Sequence, residues 1–163
     1  MDSKIRLRRL IFGALMMALT VVLGRIFIIP IPWTHGNINL CDACILICAL
    51  VLGPVPGAIV GGLGGLLLDL ISGYSQYMVF SLIAHGLEGF IAGWLFKKYH
   101  RQPVALGLAI LVMVICYFAA DSFLYTPVVG ALGIPTNLIQ GIVGAIVALV
   151  VVPQVKKYRE KLL

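Results

Sequence analysis

The chain alternates between long apolar segments and short breaks that are rich in proline, glycine or charged residues. A helix that crosses a bilayer needs about 20 mostly apolar residues. The pattern predicts helices over residues 9–29, 40–52, 57–71, 77–96, 104–124 and 135–152, of which the second is short. This pattern is typical of an all-α membrane protein built as a bundle of six transmembrane helices.

Basic residues are concentrated at the two ends of the chain and near its middle. Eleven of the twelve form three clusters, which are Lys4, Arg6, Arg8 and Arg9, then Lys97, Lys98 and Arg101, then Lys156, Lys157, Arg159 and Lys161. Cytoplasmic loops of membrane proteins carry an excess of Lys and Arg. The clusters therefore predict cytoplasmic N- and C-termini. Because every loop is short, we expect a single transmembrane domain over residues 1–163.

The composition agrees with a membrane protein, since 61% of the 163 residues are hydrophobic and 11% are charged. The mean hydropathy is +1.09. The net charge of +6 follows from the membrane topology and needs no nucleic-acid partner. The first apolar run continues to Ile31 without an A-x-A-like cleavage site, so we expect it to remain as the first helix.

Three cysteines lie in the second predicted helix, and Cys41 and Cys44 form a C-x-x-C pair. Together with Cys48 they follow helical i, i+3, i+7 spacing, and no second Cys or His pair stands nearby to complete a metal site. We expect packed thiols with no disulfide, no metal and no cofactor.

The third predicted helix is rich in glycine, at Gly57, Gly61, Gly62, Gly64 and Gly65. Small residues four positions apart allow helix backbones to approach closely in lipid. A phosphate-binding P-loop would need a Lys and a Ser or Thr after the glycines, and neither is present. The glycines therefore predict close helix packing.

Ionisable residues inside a membrane are costly and usually functional. The predicted helices contain Arg25, Asp42, Asp69, His85, Glu88 and Asp121. With the N-terminus inside, all six lie toward the outer side, as do Asn137 and Gln140, while the inner half is almost entirely apolar. This asymmetry predicts a pocket open to the outside and disfavours a through-going channel or a proton relay.

Polar and aromatic residues of the outer loops are expected to line or cover this pocket. They are Trp33, His35, Asn37, Tyr74, Tyr77 and Tyr125. For Trp33, Tyr74 or Tyr77 taken singly, an interfacial anchor is the simpler interpretation. Asp121, one turn from Tyr117, is equally consistent with ligand contact and with solvation at a helix end.

Two further pairings have alternative interpretations. Arg25 with Asp42 or Asp69 is consistent with a buried ion pair that locks three helices together. His85 and Glu88 share one helix face at i, i+3 and can meet the same ligand. Two such residues are too few for a metal site, and no nucleophile accompanies them to indicate an enzyme.

Several motifs together resemble the substrate-binding S component of an energy-coupling factor (ECF) vitamin transporter. The family's alanine-x-x-x-alanine motif is matched in the first helix by Ala14 to Ala18. Residues 36–42, 52–54, 61–69 and 85–89 resemble the regions around the second, third and fourth helices in one branch of that family. The resemblance covers essentially the whole chain.

The resemblance implies a bacterial plasma-membrane protein that captures a vitamin at the outer face and is not itself an enzyme. Its partners would be a membrane coupling subunit and two ATP-binding cassette ATPases, docked through Ala14 and Ala18. The residues expected to bind the substrate are Trp33, His35, Asn37, Asn39, Tyr77, His85, Glu88, Tyr117, Asp121, Asn137 and Gln140.

The balance of carboxylates, amides and aromatic rings favours a neutral or weakly basic heteroaromatic ring over a polyanion. The stretch entering the second helix is most similar to members assigned hydroxymethylpyrimidine or vitamin B6 forms. Pantothenate is the alternative, since Arg25 could pair with its carboxylate. A homodimeric secondary transporter that needs no ATPase is the main rival from another class.

Overall fold

The computed structural model describes the backbone of residues 3–162 and the side chains of residues 3–157. Residues 1, 2 and 163 of the predicted domain lie outside the described residues, as do the side chains of Arg159 and Lys161 in the third basic cluster.

Within residues 3–162 the structure contains six helices, which confirms the predicted helical bundle. They are α1 (Ser3–Ile26), α2 (Cys41–Leu52), α3 (Pro54–Ser72), α4 (Met78–Tyr99), α5 (Gln102–Leu124) and α6 (Pro127–Leu162). Five of them, all except α2, are long and apolar enough to cross a membrane. Most boundaries lie within a few residues of the predicted ones, but α1 and α6 begin well before them.

The short helix α2 lies at the centre of the bundle. All twelve of its residues are buried, and it packs against α1, α3, α4 and α6. Its length is about 18 Å at 1.5 Å per residue, well below the roughly 30 Å of a bilayer's hydrocarbon core. Burial on all sides explains why its sequence is apolar on every face apart from Asp42 and has no helical periodicity.

A β-hairpin replaces the loop that we expected over residues 30–38. Strand β1 (Ile29–Ile31) pairs antiparallel with β2 (Gly36–Ile38), and His35 in the connecting turn has a left-handed φ of 57°. Three-residue strands are too short to show the alternation that identifies a strand from sequence. Because the hairpin begins at Ile29, α1 ends at Ile26 and the chain then turns over one end of the bundle.

Helix α6 begins at Pro127, whereas the sequence led us to expect a loop over residues 125–135. Pro135 lies inside the helix instead of at its start, and so does Pro153. A proline at the first helical position needs no N–H partner, and membrane helices tolerate internal proline when neighbouring groups satisfy the freed carbonyl. The expected loop is therefore mostly a helix.

The described parts of the three basic clusters lie at one end of the bundle. Arg9 donates a hydrogen bond of 2.8 Å to the backbone oxygen of Leu52, where α2 ends. The ammonium of Lys156 lies 4.0 Å from the ring centre of Phe96, next to Lys97 in α4. We call this the basic end; the hairpin lies at the opposite end.

Helices α3 and α4 pack along a line of facing glycines, which we call the glycine seam: Gly57, Gly61, Gly62 and Gly65 in α3, and Gly86, Gly89 and Gly93 in α4. A methyl group on Gly61 would overlap the backbone carbonyl of His85, and one on Gly57 would overlap that of Gly89. The two backbones are therefore in direct contact, as the glycine spacing predicted.

We expect Gly61→Ala to destabilise the fold, because the added methyl group would push α4 away from α3. Overpacking of this kind costs about 1–3 kcal/mol. Gly107→Ala is the matched control, because a methyl group there meets nothing within 4 Å. Thermal unfolding of both variants in detergent measures the difference, and equal midpoints for the two would show that the seam is not tightly packed.

Candidate functional site

A polar cavity lies at the hairpin end of the bundle, between the hairpin and helices α3 to α6. It contains about 530 Å³ of empty space, including the part open to the outside. Its walls are formed by Thr34, Gly36, Asn37, Asn39, Gly65, Leu68, Asp69, Tyr77, Ser81, His85, Tyr117, Asp121, Gly133, Thr136, Asn137 and Gln140. Most of these residues carry a polar side chain, so the cavity presents many hydrogen-bonding groups.

One wall is a chain of hydrogen-bonded side chains from three helices. The Ser81 hydroxyl in α4 donates to a carboxylate oxygen of Asp69 in α3. The hydroxyl groups of Ser81 and Tyr117 lie 2.6 Å apart, so Tyr117 of α5 is held by the same group. This chain depends on the glycine seam, since Gly65 lies directly against Ser81 and the ring of His85.

A second group of contacts joins the hairpin to the ends of α4 and α5. The Tyr77 hydroxyl donates to Asp121 Oδ1 at 2.6 Å and lies 3.2 Å from the backbone oxygen of Thr34. The rings of His35 and Tyr125 stack with their centres 4.7 Å apart. These contacts hold the hairpin turn over the mouth of the cavity.

Asn39 connects the hairpin to α2 and α6. Its backbone N–H donates to Gln140 Oε1, and its side-chain oxygen accepts from the N–H of Cys41, both at 2.9 Å. Its amide group also donates to Asn37 Oδ1. These contacts connect Asn39 to β2, to the first residue of α2 and to α6.

Behind the cavity, His85 is surrounded by buried polar groups. Its Nδ1 lies 2.9 Å from Glu88 Oε2 and 3.2 Å from Asp42 Oδ1, and its Nε2 lies 3.6 Å from Cys41 Sγ. Donor atoms of Cys41, Asp42 and His85 all lie within 4.8 Å of one another, so this group could hold a metal ion. Only His85 among these four residues reaches the cavity.

Among the residues that the structure describes, Arg25 forms no ion pair with Asp42 or Asp69, the partners expected from the sequence. Arg25 lies at the surface, whereas Asp42 contacts His85 and Asp69 accepts the Ser81 hydroxyl. The carboxylates of Asp42 and Asp69 have imidazole and hydroxyl partners inside the bundle, and the arginine side chain is exposed. Asp69 therefore lines the cavity, whereas the sequence had led us to expect it in an ion pair.

The cavity brings together most of the residues that the sequence nominated for binding: Asn37, Asn39, Tyr77, His85, Tyr117, Asp121, Asn137 and Gln140. Trp33 and His35 are exposed outside it, and Glu88 is fully buried behind His85. Sequence reasoning missed Thr34, Ser81 and Thr136. Ser81 lies one turn before His85, so the shared helix face could have identified it.

Comparison with known proteins identifies a family, several relatives and a solved structure. The family described as "ECF-type riboflavin transporter, S component" matches residues 4–157. The thiamine precursor transporter HmpT of Lactococcus lactis is 39% identical over 96% of this chain and 92% of its own. A protein of Pyrococcus woesei is 34% identical over 73% of this chain and 82% of its own.

A solved structure, described as the S component of a bacterial ECF transporter, has the same fold with a TM-score of 0.78. It is 25% identical in sequence, and the match covers 94% of this chain and 98% of that one. The family match, the relatives and the solved structure indicate the same family, which the sequence motifs also indicated. This chain is therefore a multi-pass plasma-membrane protein that belongs to the S components of ECF-type transporters, which take up vitamins or their precursors.

Proposed function

We propose that this S component captures an aminopyrimidine, of the hydroxymethylpyrimidine type, in the polar cavity. The single observation that carries the proposal is the lining of the cavity, which combines two carboxylates, four side-chain amides and aromatic rings. The name of the thiamine precursor transporter, 39% identical to this chain, supports the same class of ligand.

An aminopyrimidine presents an exocyclic amine that donates hydrogen bonds and ring nitrogens that accept them. Carboxylates of Asp69 and Asp121 accept such donors, and the amides of Asn137 and Gln140 can both donate and accept. The ring of Tyr117 supplies an aromatic surface beside them. The cavity therefore offers the mixture of fixed polar groups and apolar contact that small-ligand sites use.

Charge disfavours pantothenate, the alternative raised by the sequence. None of the lining residues is Lys or Arg, and Arg25 lies at the surface. A carboxylate ligand would face Asp69 and Asp121 without a strong cation, so like charges would repel it. A neutral or weakly basic ring avoids this repulsion.

Glu88 and Asp42 act in this proposal as positioning residues. Both contact Nδ1 of His85, and both have no exposed surface. They hold the imidazole ring in one orientation, with its edge in the cavity. The protein captures its ligand without chemical turnover, so none of these groups has a catalytic role.

Asp69→Asn and Asp121→Asn are each expected to weaken binding of hydroxymethylpyrimidine about 10- to 100-fold. Loss of a hydrogen bond to a charged group costs about 1.5–3 kcal/mol, which corresponds to that range. Gln76→Ala is the control, because Gln76 is exposed and lies outside the cavity. Isothermal titration of the purified protein measures the affinities.

The same titration should include thiamine, pyridoxine, pantothenate and riboflavin. Tightest binding of hydroxymethylpyrimidine supports the proposal. Tighter binding of pyridoxine would assign a vitamin B6 form, and tight binding of pantothenate or riboflavin would contradict the charge argument. Unchanged affinity in both aspartate variants would place the ligand elsewhere.

We further propose that the basic end faces the cytoplasm and that α1 docks onto an ECF coupling subunit driven by two ATPases. Arg9, Phe96 and Lys156 lie at this end, as the positive-inside distribution requires of a cytoplasmic face. Ala14 and Ala18 are both exposed and lie one turn apart. A small-residue surface of this kind allows a partner helix to approach closely.

Ala14→Trp and Ala18→Trp should keep the ligand affinity of the isolated protein and abolish uptake by the assembled transporter. The bulky ring would hold the partner helix away from α1 while leaving the cavity, at the other end, unchanged. Leu108→Trp, on the exposed surface of α5, is the matched control. Uptake of labelled hydroxymethylpyrimidine into proteoliposomes with ATP is the measurement.

Two results would contradict the docking proposal. Wild-type uptake that persists on an ion gradient without the ATPases would favour a self-sufficient secondary transporter. Normal uptake by both alanine variants would move the docking surface away from this face of α1.

A further inference from the structure

An apolar groove runs along the outside of the bundle between α1 and α3, starting at the basic end. We call it the α1–α3 groove; it is lined by Arg6, Arg9, Leu10, Gly13, Ala14, Met17, Pro56, Ile59 and Val60. It is separate from the polar cavity, and no residue lines both. From its shape and charge, we propose that this groove binds one anionic phospholipid, with an acyl chain along the groove and the phosphate at Arg6 and Arg9.

The length of the groove fits one leaflet of a bilayer. Arg6 and Met17 mark its two ends along α1, and eleven residues of helix span about 16 Å. The hydrocarbon core of a bilayer is roughly 30 Å thick, so one leaflet supplies roughly half of that. An acyl chain that starts at the level of Arg6 would therefore fill the groove to its far end.

The lining explains why an acyl chain fits. Apart from the two arginines, the residues that form the groove are all apolar. Leu10 and Ile59 on its two sides are 70% and 49% exposed, respectively. An unfilled groove in a membrane loses van der Waals contacts along its whole lining, and a flexible hydrocarbon chain restores them.

The positive charge where the groove meets the basic end explains why we propose an anionic lipid. Arg9 is held in place by its bond to the backbone oxygen of Leu52, and a guanidinium group has further N–H donors for a phosphate. Arg6 is exposed beside it, and no lining residue is acidic. Helix α3 begins at Pro54, so the positive end of its dipole also lies at the basic end of the groove.

The groove also includes Ala14, one of the two proposed docking positions. If the docking proposal holds, the lipid and the coupling subunit compete for this surface. Docking would then require that the lipid leave the groove.

Native mass spectrometry of the purified protein tests the lipid site directly. The protein is released from micelles that contain equal amounts of phosphatidylglycerol and phosphatidylcholine with identical acyl chains. We expect the wild type to retain phosphatidylglycerol in preference to phosphatidylcholine. In Arg6→Gln this preference should fall about fivefold, since a basic residue near an anionic lipid surface contributes about 1 kcal/mol.

The matched control is Arg101→Gln, which removes a charge from the same set of basic clusters but not from the groove. It should keep the wild-type preference. Ile59→Trp should reduce retention of both lipids, because the indole would fill the groove. Leu10→Trp fills the same groove and replaces Ile59→Trp if that variant does not fold.

Equal retention of the two lipids by the wild type would overturn the proposal. So would an equal loss of preference in Arg6→Gln and Arg101→Gln, which would indicate general charge attraction at the basic end. Full lipid retention by a folded groove-filling variant would show that the lipid lies elsewhere. None of these measurements involves a vitamin or an ECF partner, so their failure leaves the proposed function untouched.

Discussion

The direct backbone contact between α3 and α4 is the constraint on which the rest of the structure depends. Within lipid there is little hydrophobic force between helices, so close packing and interhelical hydrogen bonds must hold them together. The glycine seam supplies the close packing, and it also determines which side chains can form hydrogen bonds between the helices. Because Gly61 and Gly65 bring α4 against α3, Ser81 reaches Asp69 and His85 lies at the cavity wall.

The four buried acidic groups each have at least one hydroxyl or imidazole partner, while Asp42 Oδ2 and Glu88 Oε1 are buried without a hydrogen-bond partner among the described residues. Asp69 accepts from Ser81, Asp121 from Tyr77, and both Asp42 and Glu88 contact His85. A buried carboxylate without such partners would be strongly disfavoured in a membrane. The polar groups therefore sit together near the hairpin end, while α2 fills the rest of the interior with apolar side chains.

The proposed sites for capture and for coupling lie on different surfaces of the same small bundle. The cavity lies under the hairpin, held by Tyr77 and Tyr125, whereas α1 exposes Ala14 and Ala18 on its outer face. Only Met16, Thr20 and Gly24 of α1 are buried, on the other side of that helix. A partner can therefore contact α1 without touching the ligand. The proposed binding and docking roles thus use separate parts of the protein.

The sequence by itself determined the membrane class, the six helices, the close packing of the glycine-rich helix and most of the cavity residues. These properties follow from local quantities such as hydropathy, charge and residue spacing. Only the tertiary structure decided that residues 29–38 form a hairpin, that α6 continues through Pro135, and that Asp69 bonds Ser81 and not Arg25. Each of these depends on contacts that form only in the folded chain, since β1 pairs with β2 across the turn and Ser81 of α4 donates to Asp69 of α3. A proline inside a membrane helix likewise depends on neighbouring groups that satisfy the freed carbonyl.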